Sequence, residues 1–271
     1  MKKALLVGIN KYPDPRNELH GCINDINDMA GFLTNQKQFS MPDIRLLADE
    51  RATKANILER LEWLVTGAKA GDQLLFHYSG HGAQIATRSR KGELDGLDEV
   101  ICPYDFDWTD ATALKDKEFA KIFAKMPKEA TFIWVSDSCH SQDLSRDFKK
   151  PIPGIFKVRS MVPPPDIAWR NMSAMATPLI KLKALSKAAK LLNLALISGC
   201  KSDQESADAV FNKRANGALT YFLLKSLNAK TSTAASLRQL VDSINKSLRK
   251  IKYPQEPQIE GSTALTDAFF F

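Results

Sequence analysis

The feature that most constrains the fold is a series of short, nearly continuous apolar runs separated by segments of helical periodicity. Lys3–Ile9 (KALLVGI), Ile44–Leu47, Leu74–Tyr78, Thr131–Val135 and Leu194–Ser198 each have strand length. After the first run, Ile23, Ile26, Met29, Phe32 and Leu33 recur on one helical face. After the second, Ile57, Leu58, Leu61, Leu64 and Val65 do so behind Thr53, a suitable N-cap. Strands that are apolar on both faces must be covered on both, and strands alternating with helices pair in parallel. The pattern predicts an α/β fold with a mainly parallel central sheet flanked by helices on both faces. Gln84–Ala86 and Val100–Cys102 suit a small hairpin, and Gly217–Leu227 and Ser236–Ile251 suit amphipathic helices.

A chain of 271 residues can bury a sizeable core, and the reading is a single domain over 1–271. One stretch breaks the alternation. From Ser145 to about Lys183 the chain is rich in Pro, Lys and Met and too long for an ordinary connection. It reads as an exposed or partly ordered, basic, Pro-rich insertion at about 145–190. The 38 Lys and Arg outnumber 31 Asp and Glu, giving +7, and much of the excess, Lys157 and Arg159 included, falls in that insertion. No aromatic-interleaved or helix-turn-helix pattern accompanies it, so solubilising charge is favoured over nucleic-acid binding. No signal peptide, membrane span or CxxC pairing is read, which points to a reducing cytoplasm where thiols stay reactive.

Two of the apolar runs end in chemistry. Leu74–Tyr78 runs into Ser79-Gly80-His81-Gly82, and Thr131–Val135 runs into Ser136-Asp137-Ser138-Cys139-His140. Functional groups collect beyond the carboxyl ends of parallel strands, where loops rest on a rigid frame. A thiol at one strand end and an imidazole at the other are the minimum for a cysteine nucleophile with a histidine acid/base. Cys139 is the nucleophile of this reading. His81, between two glycines where the ring can project, is preferred to His77, which lies inside its strand. Zinc held by both histidines is disfavoured, because their spacing suits a helix face and this segment is a strand followed by a glycine turn. Backbone N–H groups of Gly82 and Cys139 are the expected oxyanion donors.

HYSGHG and DSCHS, with GCIND (Gly21–Asp25), SGCKSDQESAD (Ser198–Asp208), GALTYFL (Gly217–Leu223) and PQIEG (Pro257–Gly261), resemble the metacaspases, specifically their single-domain bacterial relatives, the orthocaspases. The resemblance spans nearly the whole chain. It implies the caspase-haemoglobinase fold and a clan CD, family C14 cysteine endopeptidase that cuts protein or peptide substrates after Arg or Lys. Carried over, Asp25 and Asp137 form an acidic specificity pocket walled by Ser79 and Cys22, with Asp203 a further candidate. A substrate guanidinium is well matched by carboxylates, and none of these motifs contains an Arg.

The resemblance also raises calcium, which many metacaspases require. Asp98 and Asp116 stand at ligand-like positions, but Lys117 and Arg146 fall where acids are expected, and two cations would repel Ca²⁺. No cofactor and calcium independence are therefore expected, and Asp95 and Glu99 read as a solvated loop. Self-cleavage within Arg146–Lys190 is expected, without a particular bond being selected. Gln142 replaces a Gly of the family pattern and bears on the local turn. The rival reading is a catalytically silent caspase-fold scaffold, although both Cys139 and His81 are retained. No membrane or nucleic-acid partner is expected, and the chain is read as a monomer.

Overall fold

A computed structural model describes residues 1–86, 96–140, 155–175, 192–201, 204–229 and 235–271. Its core is a six-stranded sheet in the order β12-β9-β7-β3-β1-β2. These strands are β1 (Lys2–Gly8), β2 (Ile44–Ala48), β3 (Gln73–Ser79), β7 (Thr131–Asp137), β9 (Leu194–Ser198) and β12 (Gln258–Gly261). All neighbours are parallel except β12, which pairs antiparallel with β9 at one edge.

Alternation along β1 sorts its side chains to opposite faces. Leu5 and Val7 join Phe76, Phe132 and Trp134 beneath α2 (Lys54–Val65) and α3 (Asp116–Phe123), whose Ile57, Leu61, Phe119 and Phe123 are buried there. Ala4 and Leu6 join Leu75, Ile133, Val135 and Ile197 on the other face. That face is covered by α1 (Cys22–Lys37), α5 (Ala218–Leu227) and α6 (Leu237–Lys250). The fold class expected from the apolar runs is the one observed. Thr53 caps α2 as predicted, its hydroxyl accepting from the Asn56 N–H at 3.3 Å.

Two small antiparallel sheets flank the carboxyl end of the main sheet. One orders β4 (Gly82–Ala86), β5 (Leu97–Ile101) and β6 (Leu114–Lys115), in accord with the predicted hairpin. The other orders β11 (Arg214–Gly217), β10 (Ala207–Phe211) and β8 (Ile155–Val158). β8 lies in the stretch read as an insertion, and α4 (Pro165–Met175) follows it. Residues 141–154 and 176–191, including Arg146 and Gln142, lie outside the described residues, as do Asp95 and Asp203. Among the described residues, no helix is long and apolar enough to cross a membrane.

Candidate active site

The pairing of β3 with β7 ends at Ser79 opposite Asp137. His81 and Cys139 each follow two residues later, so the two strands deliver them side by side. The turn at Gly82 brings the backbones close enough that a Cβ there would collide with the Cys139 carbonyl and with His140 Nδ1. Only glycine fits that approach. Two tyrosines pin the loop: Tyr12 Oη accepts from the His81 N–H at 2.9 Å, and Tyr78 Oη donates to the His81 carbonyl at 2.7 Å.

The His81 ring does not project, contrary to the sequence expectation. It is 1% exposed and lies against the Tyr12 ring, with Nε2 2.8 Å from the Asn17 carbonyl. Burial lowers its pKa to about 4, leaving the imidazole neutral near pH 7. Nε2 is then the protonated nitrogen, donating to Asn17, and the buried Nδ1 has no hydrogen-bond partner among the described residues. Cys139 is fully buried, its thiol donating to the Gln204 carbonyl at 2.6 Å with Cys200 Sγ 3.3 Å away. His77 is buried inside β3, facing Thr220 Oγ1 at 3.2 Å.

The four pocket residues expected from sequence converge on one group, and that group is Arg159 of the same chain. Its Nη2 donates to Asp25 Oδ2 and to Asp208 Oδ1, both at 2.9 Å. Nη1 donates to Ser79 Oγ at 2.7 Å and to the Asp137 carbonyl at 3.2 Å, and lies 3.4 Å from Asp137 Oδ1. Arg159, Asp25, Asp137 and Asp208 are all fully buried. A lone buried cation would be costly, so three carboxylates around one guanidinium is the arrangement that keeps it charged. Cys22 is buried beside the group, with its thiol pKa pushed up by burial. Arg159 is thus not the solubilising surface charge expected from composition.

The carboxylates are themselves held. Asp25 accepts from Ser79 Oγ at 2.7 Å, Asn216 Nδ2 at 2.9 Å and the Gly217 N–H at 3.0 Å. Asp137 accepts from Thr220 through both N–H and hydroxyl at 2.8 Å, and from Ser206 Oγ at 2.9 Å. Asp208 accepts from the His20 and Gly21 N–H groups. Burial nevertheless pushes the Asp25 carboxyl up to about 6, against the pull of Arg159. Asp208 is a pocket acid that sequence reasoning missed. It closes the SGCKSDQESAD segment, in which the resemblance points to Asp203 instead. Because Arg159 fills the acidic pocket, the open space near Cys139 is a separate cavity of about 70 Å³, lined by Ser138, His140, Cys200, Trp134 and Glu260.

The backbone of Arg159 is held as firmly as its side chain. The Gly82 N–H donates to its carbonyl at 3.0 Å and the Cys139 N–H at 3.1 Å. Its own N–H donates to the Ser206 carbonyl at 2.9 Å, extending the antiparallel pairing of β8 with β10.

Among the described residues, those around Asp98 do not fit a calcium ion. Asp98 is 2% exposed, its Oδ2 2.9 Å from Lys115 Nζ and its Oδ1 3.8 Å from Lys117 Nζ. Ammonium groups stand where a hard cation needs several oxygen ligands. Lys115, unnoticed in the sequence, is the closer of the two.

The pattern that defines the metacaspase peptidase C14 domain matches residues 2–146, which include both His81 and Cys139. A Metacaspase-1 of Meyerozyma guilliermondii is 33% identical across 96% of this chain and 69% of its own length. A Metacaspase-1 of Botryotinia fuckeliana is 32% identical across 100% of this chain and 70% of its own. A crystal structure of a Geobacter sulfurreducens protein superposes with a TM-score of 0.72 at 26% identity, covering 100% of this chain and 98% of that one.

Proposed function

Since the chain belongs to the metacaspase family of caspase-like cysteine peptidases, we propose that it is an endopeptidase cutting proteins after Arg or Lys through a Cys139–His81 dyad. One observation carries the specificity: Asp25, Asp137 and Asp208 hold a guanidinium beside the two amides that also hold its backbone carbonyl. A substrate Arg seated the same way would present its carbonyl to the Gly82 and Cys139 N–H groups, which stabilise charge developing on that oxygen.

The mechanism follows from the groups present. The Cys139 thiol leaves Gln204 by rotation about its Cα–Cβ bond, and the sulfur attacks the carbonyl carbon. A neutral His81 whose Nδ1 has no partner among the described residues is suited to take the thiol proton and pass it to the leaving amine. A water activated by the same imidazole then hydrolyses the acyl-enzyme. The Asn17 carbonyl sets the imidazole's tautomer, while Tyr12 and Tyr78 hold the backbone that carries the ring. The chain works as one caspase-like domain, a monomer of reducing compartments, that processes itself within the basic stretch. Catalysis needs no calcium, a reading supported by the Lys115–Asp98 pair.

Hydrolysis of a fluorogenic peptide ending in Arg, with an Asp-ending peptide as control, tests the reading. Wild type cleaves the first and spares the second, at the same rate in chelator as in calcium, and Cys139→Ala is inactive. Activity persisting in purified Cys139→Ala would refute the nucleophile. A strict calcium requirement would refute the metal-free reading.

A further inference from the structure

The segment through Arg159 lies across the site as a substrate would. Residues before it form β8 and pair antiparallel with β10, with Val158 opposite Ala207 and Lys157 opposite Asp208. Lys157 Nζ ties this strand to the carbonyls of Arg16 and Glu18, the latter at 3.0 Å. Arg159 places its guanidinium among three buried carboxylates and its carbonyl on the Gly82 and Cys139 amides. Immediately beyond, Ser160 bridges to Gly82, and the Met161 N–H donates to the Gly82 carbonyl at 3.0 Å. The chain is thus gripped on both sides of one peptide bond. A merely structural arginine would need its side chain held, but not its carbonyl on two convergent amides next to a thiol.

We propose that Arg159–Ser160 is the bond at which this protein cuts itself, and that the uncut chain blocks its own specificity pocket with Arg159. The proposal rests on the peptidase reading above and names its first substrate. Cys139 Sγ bonds to the Arg159 carbonyl carbon as the C–N bond to Ser160 breaks. The Ser160 nitrogen leaves as an amine, taking the thiol proton by way of His81. Water then cleaves the thioester, giving an Arg159 carboxylate and restoring the thiol. Because the donor strand and the nucleophile belong to one folded unit, the cut is intramolecular.

The test is intact-mass and terminal-peptide analysis of freshly folded wild type over time, beside Cys139→Ala and Arg159→Ala, with Arg-peptide hydrolysis measured in parallel. Expected are one fragment ending at Arg159 and another beginning at Ser160 in wild type, and an unbroken bond in both variants. The fraction cut per unit time should not change on dilution, and Arg-peptide hydrolysis should accelerate as the cut proceeds. Wild type that hydrolyses the peptide while Arg159–Ser160 stays whole overturns this proposal and leaves the peptidase reading standing. Failure of both reactions overturns both. A cut at this bond in Cys139→Ala would assign it to another protease. Should Arg159→Ala not fold, the wild-type termini and their dilution behaviour still decide the matter.

Discussion

At the scale of single residues, the pocket is defined as much by a missing side chain as by its acids. Gly217 donates its N–H to Asp25, and a Cβ at this position would collide with Asp137 Oδ2 and Arg159 Nη1. Gly217→Ala therefore pushes a methyl into the space of the guanidinium. Overpacking of this kind costs about 1–3 kcal/mol, so kcat/KM for Arg peptides should fall roughly ten- to hundredfold. Steady-state kinetics on the processed enzyme measure it, and an unchanged value would mean that incoming side chains do not use this pocket. The sequence made Asp25, Asp137, Ser79 and Cys22 readable because they sit in short motifs at the ends of predicted elements. Arg159 was not readable. In a run of Lys, Arg and Pro it looks like solvent-facing charge, and only the tertiary meeting of Asp25, Asp137 and Asp208 gives it a buried place.

Among elements, legibility followed how local each one's reason for existing is. The strands β1, β3, β7 and β9 declare themselves because burial on both faces writes unbroken apolar runs into the chain. β8 has no such run; it exists because the edge of β10, far away in sequence, accepts it. The helix α6 shows the local case fully. The Ser236 hydroxyl accepts from the Gln239 N–H at 3.3 Å while Gln239 Oε1 accepts from the Ser236 N–H at 2.9 Å, a reciprocal capping box. Ser236→Ala should cost about 1 kcal/mol of stability, read as a lower urea midpoint with an unchanged m-value. No loss would mean that packing of Leu240, Val241, Ile244 and Leu248 alone sets this helix.

For the whole molecule, buried histidines tie folding to pH. Burial holds both His77 and His81 at about 4 in the folded protein, against about 6.5 in an unfolded chain. Between these values the unfolded chain binds protons that the folded one refuses, so stability drops as pH falls through that window. Each histidine contributes on the order of 3 kcal/mol once pH is below its folded value. Asp25, pushed up to about 6, works in the opposite sense and recovers part of the loss. Urea unfolding of Cys139→Ala, which stays uncut, should show stability declining from about pH 6.5 downward. Adding His77→Gln should flatten the decline, and an unaltered slope would remove His77 as a contributor.

The place of β8 also bears on what other molecules can enter. β10 is paired on one side with β11 and on the other with β8, so withdrawal of β8 uncovers a row of peptide groups beside the acids. Such a row accepts only polypeptide whose own N–H and C=O groups are unclaimed. A helix has already used them. With β8 gone, the geometry selects loose tails and unravelled loops over folded domains, whatever basic residues those domains display on their surfaces.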